Sequence, residues 1–218
     1  MATTTFPVIA GARRSRFADS LPDFGARIGV GGLFLVLAWQ LGGDFMRTGR
    51  PTDLLLLVGE SLVVILTCFR RRANVVNRGA IARIVTMLSM AAPLLVRPYA
   101  GAGLISETIA AMIGGIGLLI VIGGKISLGY SFGLLPANRG VMNRGLYRIV
   151  RHPIYLGYLI THLPFLAAHP SMWNLALIVI GDSALIVRAF YEEQTLSLDP
   201  KYLRYRQDVK WRLLPGVC

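Results

Sequence analysis

Apolar residues fill this chain in six long runs separated by short polar stretches. The runs cover residues 26–43, 53–69, 80–96, 104–124, 154–168 and 171–190. Each approaches the roughly 20 residues that a helix needs to cross about 30 Å of hydrocarbon. None alternates with a period of two over the length of a strand, which argues against a β-barrel. The pattern predicts an all-α, polytopic integral membrane protein of about six transmembrane helices. Five is the nearest alternative, because 154–168 is short and would also suit a buried or tilted pair. Residues 1–124 form a scaffold of four spans. Residues 125–218 form a second region made of a cytosolic loop, a helical hairpin and a C-terminal helix.

Charge orients these spans. The chain is 54% hydrophobic and 16% charged, with a formal net charge of +12. Arg13, Arg14 and Arg16 precede the first run, and Arg70, Arg71, Arg72 and Arg78 follow the second. Lys125, Arg139, Arg144, Arg148 and Arg151 follow the fourth, and Lys201, Arg204, Arg206, Lys210 and Arg212 follow the sixth. The opposite loops hold only Arg47, Arg50 and Arg97. An excess of Lys and Arg marks the cytoplasmic side, so both termini and the 125–151 loop are expected there. A bacterial inner membrane and an endoplasmic-reticulum membrane fit equally. The basic charge is thereby assigned to topology and to anionic headgroups of the lipid bilayer. Nucleic acid is not an expected partner, since the cations are spread over several loops rather than gathered on one helix. Cys68 and Cys218 offer neither a disulfide framework nor a metal site.

Glycines crowd the first run (Gly29, Gly31, Gly32) and the fourth (Gly114, Gly115, Gly117, Gly123, Gly124). Small residues let helix backbones approach closely, within the chain or across a homodimer. Glu60, Asp182 and His162 sit inside apolar runs. A charge at the bilayer centre costs at least about 2.5–3.5 kcal/mol, so each is expected to face the bundle interior. His162 has no partner motif around it and reads as a satisfied packing residue.

The 125–150 loop is punctuated by turns at Gly133, Pro136, Asn138-Arg139-Gly140 and Asn143-Arg144-Gly145. Its interleaved aromatic and aliphatic residues argue for a folded cap over a cavity. Pro153 then stiffens the start of the fifth run and biases His152 away from helix. At the end of the sixth run Arg188 and Glu192 stand four residues apart, on one helical face. An arginine suits a substrate carboxylate, which it can grip in bidentate fashion. A carboxylate such as Glu192 suits a cationic ligand or an amino group. Asp199 and Pro200 fit the N-cap and first turn of a further helix. That helix would carry Tyr202, Tyr205 and Val209 on one apolar stripe.

Ser127-Leu128-Gly129, Tyr147 through Gly157 with Arg151-His152-Pro153-Ile154-Tyr155 at its centre, Arg188 with Glu192-Glu193, and Tyr202, Tyr205 and Leu214-Pro215 resemble the isoprenylcysteine carboxyl methyltransferase family. The resemblance covers roughly residues 125–218. It implies an integral-membrane methyltransferase that uses S-adenosylmethionine and releases S-adenosylhomocysteine. Carried onto this sequence, it implies that Arg139, Gly140, Val141, Met142, Tyr147, His152, Pro153, Ile154 and Tyr155 line the cofactor site. It further implies that Glu192 holds a polar group of the cofactor and that Arg188 faces the acceptor carboxylate. The expected acceptor is a lipophilic carboxylic acid such as a prenylated cysteine. The same motifs occur in phospholipid N-methyltransferase-like relatives. An aminolipid acceptor would need deprotonation, with Glu193 or His152 as the base. From a different class, a small transporter would use Glu60, Asp182 and His162 as an ion path.

Overall fold

The computed structural model describes residues 12–14, 32, 35, 39, 42–43, 45–47, 51–69, 71, 73, 75–77, 79–97, 102–133 and 135–216; of residues 12–14, 51–56 and 60 the backbone alone is described. The described chain is predominantly helical. Helix α1 spans Pro51–Phe69, α2 Ala80–Ala91, α3 Glu107–Leu128, α4 Pro153–Ala168, α5 Met172–Leu196 and α6 Pro200–Asp208. The first expected span, 26–43, falls largely outside the described residues, and so does the side chain of Glu60.

Local chemistry sets the boundaries. Ser106 caps α3, its side chain accepting from the Ile109 amide at 3.3 Å, and Glu107 places a negative charge in the first turn. Ser171 caps α5 in the same way, accepting from the Asn174 amide at 3.1 Å. Asp199 caps α6, accepting from the Lys201 amide at 2.9 Å, with Pro200 in the first turn as expected. Near the end of the third apolar run Pro93 cannot donate to the helical ladder, and α2 tightens into a 3₁₀ turn over Ala92–Leu95.

Among the described residues two helices are long and apolar enough to cross a membrane, one over Glu107–Ser131 and the other α5. The remaining described apolar helices are shorter: Leu57–Phe69, Ala80–Leu95 and Pro153–Ala168. Large apolar side chains lie exposed on the outward surfaces of this bundle, among them Ile84, Met112, Ile116, Leu119, Leu163 and Val179.

The largest helix–helix contact joins α3 to α4. It rests on glycine: a Cβ on Gly117 would stand 2.7 Å from the Gly157 carbonyl oxygen, and one on Gly157 equally close to that of Gly117. The glycines of the fourth run are thus used, at this position, inside the chain. Around this seam Val63, Leu66, Val121, Phe132, Ile154, Tyr155, Leu185 and Ala189 make the main core.

The all-α expectation needs one correction. Three short strands, β1 (Ala12–Arg14), β2 (Val75–Asn77) and β3 (Ala137–Asn138), form an antiparallel ribbon in the order β1-β2-β3. Ala12 faces Asn77 and Val76 faces Ala137. The loops at this end of the bundle satisfy their backbone groups against one another, which a sequence scan for strand-length alternation cannot see. A second correction concerns Lys125. It was expected as a loop charge, but it is still inside α3 and fully buried, its Nζ donating to the Gly59 carbonyl of α1 at 3.0 Å.

Candidate functional site

The loop from Gly129 to His152 is folded, not open. Gly140 (φ 105°) and Gly145 (φ 55°) take the left-handed turns that the Asn-Arg-Gly repeats require. Asn138 is buried and ties the loop to the start of α6, its Nδ2 donating to Asp199 Oδ2 at 3.0 Å. Its Oδ1 accepts from the Gly140 amide at 2.9 Å. Behind the loop, Tyr202, Tyr205 and Val209 form the expected stripe and pack on Val141 and Leu196. The Tyr205 hydroxyl donates to the Tyr147 carbonyl at 2.7 Å.

The loop and helices α1 to α6 all contribute to a cavity of about 1050 Å³. That is at the upper end of the roughly 300–1,000 Å³ typical of small-molecule sites. Arg139, Gly140, Val141, Met142, Tyr147, His152, Ile154, Tyr155, Arg188 and Glu192 all line it. Pro153 does not; it is buried in the first turn of α4.

At the polar end, Arg188 and Glu192 form the pair that their spacing predicts, Nε donating to Oε1 at 3.2 Å. Tyr155 donates its hydroxyl to the same Glu192 oxygen. The Arg188 guanidinium lies over the Tyr155 ring, 5.4 Å from its centroid. The His152 ring stacks on Tyr155 at 5.3 Å and nearly parallel, with Nδ1 3.9 Å from Glu192 Oε2. One carboxylate, one guanidinium and two stacked rings therefore share a single corner.

Glu193 stands behind this corner and does not line the cavity. One position further around the helix than Glu192, it faces away, into a nest of cations. Arg212 grips it through Nε at 3.1 Å and Nη2 at 3.0 Å. His152 Nε2 lies 3.2 Å and Arg151 Nη1 3.4 Å from Oε1. Both oxygens are engaged by these side chains. The sequence offered Glu193 as a base; the geometry places it where it holds His152. The backbone reinforces this, since the Arg151 and His152 amides donate to the Trp211 and Arg212 carbonyls, each at 2.9 Å.

Sequence reasoning missed three participants. Arg212 was read as one of many topological charges. Tyr202 was read as packing alone, yet it lines the cavity, and its buried hydroxyl has no partner among the described residues. Burial pushes the hydroxyls of Tyr147, Tyr202 and Tyr205 above the ordinary value of 10.0, so each stays a hydrogen-bond donor. Asp182 was grouped with His162 only as part of an ion path, and their direct contact was missed: Asp182 Oδ1 lies 2.7 Å from His162 Nδ1. No family model matches the chain, and no curated protein is significantly similar to it.

Proposed function

We propose that this chain is a polytopic membrane methyltransferase that uses S-adenosylmethionine to esterify the carboxylate of a lipophilic acceptor. The observation that carries the reading is the convergence of residues 139–142, of Tyr147, His152 and Tyr155, and of Arg188 and Glu192 on one cavity, charged at one corner and apolar over most of its wall. Two helices of spanning length among the described residues and the exposed apolar outward surfaces support a bilayer setting; six spans and a cytoplasmic loop rest on the apolar runs and the charge asymmetry of the sequence.

The donor set fits the cofactor. An amino acid moiety needs an anion for its ammonium group and a cation for its carboxylate, and Glu192 and Arg139 both line the cavity. The orphaned Tyr202 hydroxyl offers one more buried donor for a polar ligand. When bound, S-adenosylmethionine supplies a methyl group on a sulfonium centre, already activated for transfer to an anionic oxygen. The protein's part is positioning. Arg188, held by Glu192 and the Tyr155 ring, presents its guanidinium to the acceptor carboxylate and fixes its approach. The apolar walls from Val63, Leu118, Ile178 and Leu185 take the hydrocarbon tail and exclude water.

A carboxylate is already ionised at neutral pH and needs no base. An amine acceptor would have to lose a proton. The two groups that would receive it, Glu193 and His152, are hydrogen-bonded to each other. O-methylation therefore needs only that Arg188 place the acceptor, whereas N-methylation needs His152 as a base as well.

The test is thermal stability of the detergent-purified chain with S-adenosylhomocysteine, beside Glu192→Gln. At 100 times its dissociation constant, a ligand specific for the folded state stabilises by about 2.7 kcal/mol. A dose-dependent shift that weakens in the variant supports the reading. No shift at saturation, with the protein folded, sinks it and promotes a transporter.

A further inference from the structure

The proposed chemistry leaves one polar pair of the cavity unused. Tyr155, Tyr158, His162 and Phe165 recur along one face of α4, and all four line the cavity. His162 is seven residues beyond Tyr155, about 10 Å deeper at ~1.5 Å per residue. Its Nδ1 is 2.7 Å from Asp182 Oδ1 on α5, and both side chains are 14% exposed. Asp182 lies six residues, about 9 Å, before Arg188 on the same helix. Tyr158 stacks over the His162 ring at 6.1 Å and 17°, which fixes its plane. With Nδ1 engaged, the ring has one edge left, and no partner for Nε2 is found among the described residues. The neighbouring Thr161 hydroxyl is already spent on the Gly157 carbonyl at 2.9 Å.

A mere staple between α4 and α5 would explain the pair poorly. The turn joining them is already tied by Asn174, whose Nδ2 donates to the His169 carbonyl at 2.9 Å and the Arg97 carbonyl at 2.8 Å. A buried ionisable pair carries a desolvation cost that apolar side chains of similar size avoid.

We infer that His162, oriented by Asp182, is a second polar anchor in the cavity, and that the acceptor is a long-chain carboxylic acid bearing a hydroxyl about 9–10 Å from its carboxylate. A hydroxyl both donates and accepts, so it pairs with Nε2 whether or not that nitrogen carries a proton. Arg188 then holds the reacting end while His162 reads the chain, which favours a hydroxylated lipid acid over a bare hydrocarbon or prenyl tail. The inference rests on the cavity being the acceptor site proposed above.

The test is direct binding of radiolabelled acids to the full chain in detergent, which needs no turnover. Octadecanoic acid is compared with its mid-chain monohydroxy derivative and with the isomer hydroxylated next to the carboxylate. The expected result is about tenfold tighter binding of the mid-chain derivative than of either other acid. Replacing both partners, His162→Leu with Asp182→Leu, avoids stranding a buried charge. This double variant binds the three acids alike and keeps its stabilisation by S-adenosylhomocysteine. Equal binding by the unmodified chain, absence of binding, or a preference that survives in the double variant overturns the inference. So does a double variant that loses all acids and S-adenosylhomocysteine together, since that marks a structural clamp. A mid-chain preference in a protein that S-adenosylhomocysteine fails to stabilise upholds the anchor and sinks the methyltransferase reading instead.

Discussion

Gly117 and Gly157 face each other across the α3–α4 seam with no room for a methyl group on either, each backbone filling the space a Cβ of the other would need. Neither backbone can yield without separating the helices. Gly157→Ala or Gly117→Ala is therefore expected to destabilise the chain by about 3 kcal/mol or more. Gly114→Ala is the control. Its Cβ would meet only Thr161 Cγ2 at 4.0 Å, an ordinary contact. There the gain in helix propensity, up to about 1 kcal/mol, decides the sign. Thermal midpoints of the three variants in one detergent check this, and equal midpoints would contradict the seam.

Arg188→Lys keeps a positive charge but removes the planar fork and its seat on Tyr155. For a carboxylate acceptor, kcat/KM is expected to fall about 100-fold, as for loss of a charge-assisted pair. Stabilisation by S-adenosylhomocysteine is retained, because Glu192 remains. Steady-state kinetics beside a thermal titration separate the two effects. A fall of threefold or less would remove Arg188 from acceptor binding.

Removing Glu193 leaves the buried Arg151 guanidinium without its carboxylate and His152 Nε2 without its hydrogen-bond partner. Glu193→Ala is expected to cost about 3–5 kcal/mol. Arg212→Ala costs less, because Arg212 is 22% exposed while Glu193 keeps His152 and Arg151. Denaturant titration that ranks the two variants in the opposite order would show that the nest is held by the arginine.

Asp199→Ala removes the cap of α6 and is expected to cost about 1 kcal/mol. The hydrogen bond from Asn138, then that from the Lys201 amide, holds the Asp199 carboxyl below its ordinary value of 3.8. Because the folded value is the lower one, the ionised cap stabilises fully above the ordinary value. That contribution is lost as the pH falls through the folded one. The difference in stability between wild type and variant should thus be steady near neutral pH and shrink in strong acid. A difference that grows on acidification would reverse the sign of the argument.

The parts of this fold that were legible in the sequence are those whose cause is local. Asp199 and Pro200 announce α6, and the Tyr202–Tyr205–Val209 spacing announces which face it buries. The two Asn-Arg-Gly runs announce left-handed turns at Gly140 and Gly145. Arg188 and Glu192 meet because four residues on a helix place them together. What was not legible depends on partners that the chain brings from far away. Residues 75–77 give too short a run to declare a strand, and their neighbours come from 12–14 and 137–138. Lys125 reads as a loop cation until Gly59 is seen beside it. Glu192 and Glu193 look equivalent in sequence, and only the position of Arg212 tells the cavity-lining carboxylate from the one behind it.

The carbonyls of Trp211 and Arg212 receive the Arg151 and His152 amides, and the Arg212 side chain secures Glu193. These two residues lie beyond every helix of the bundle, so a chain folding from its N-terminus completes α3, α4 and α5 first. Until residues 211 and 212 are in place the His152 loop lacks its anchoring carbonyls, and Glu193 lacks the guanidinium that grips both its oxygens. The polar corner of the cavity is thus the last part of the fold to be completed, and a chain truncated before Trp211 would keep its helices and lose the order of that corner.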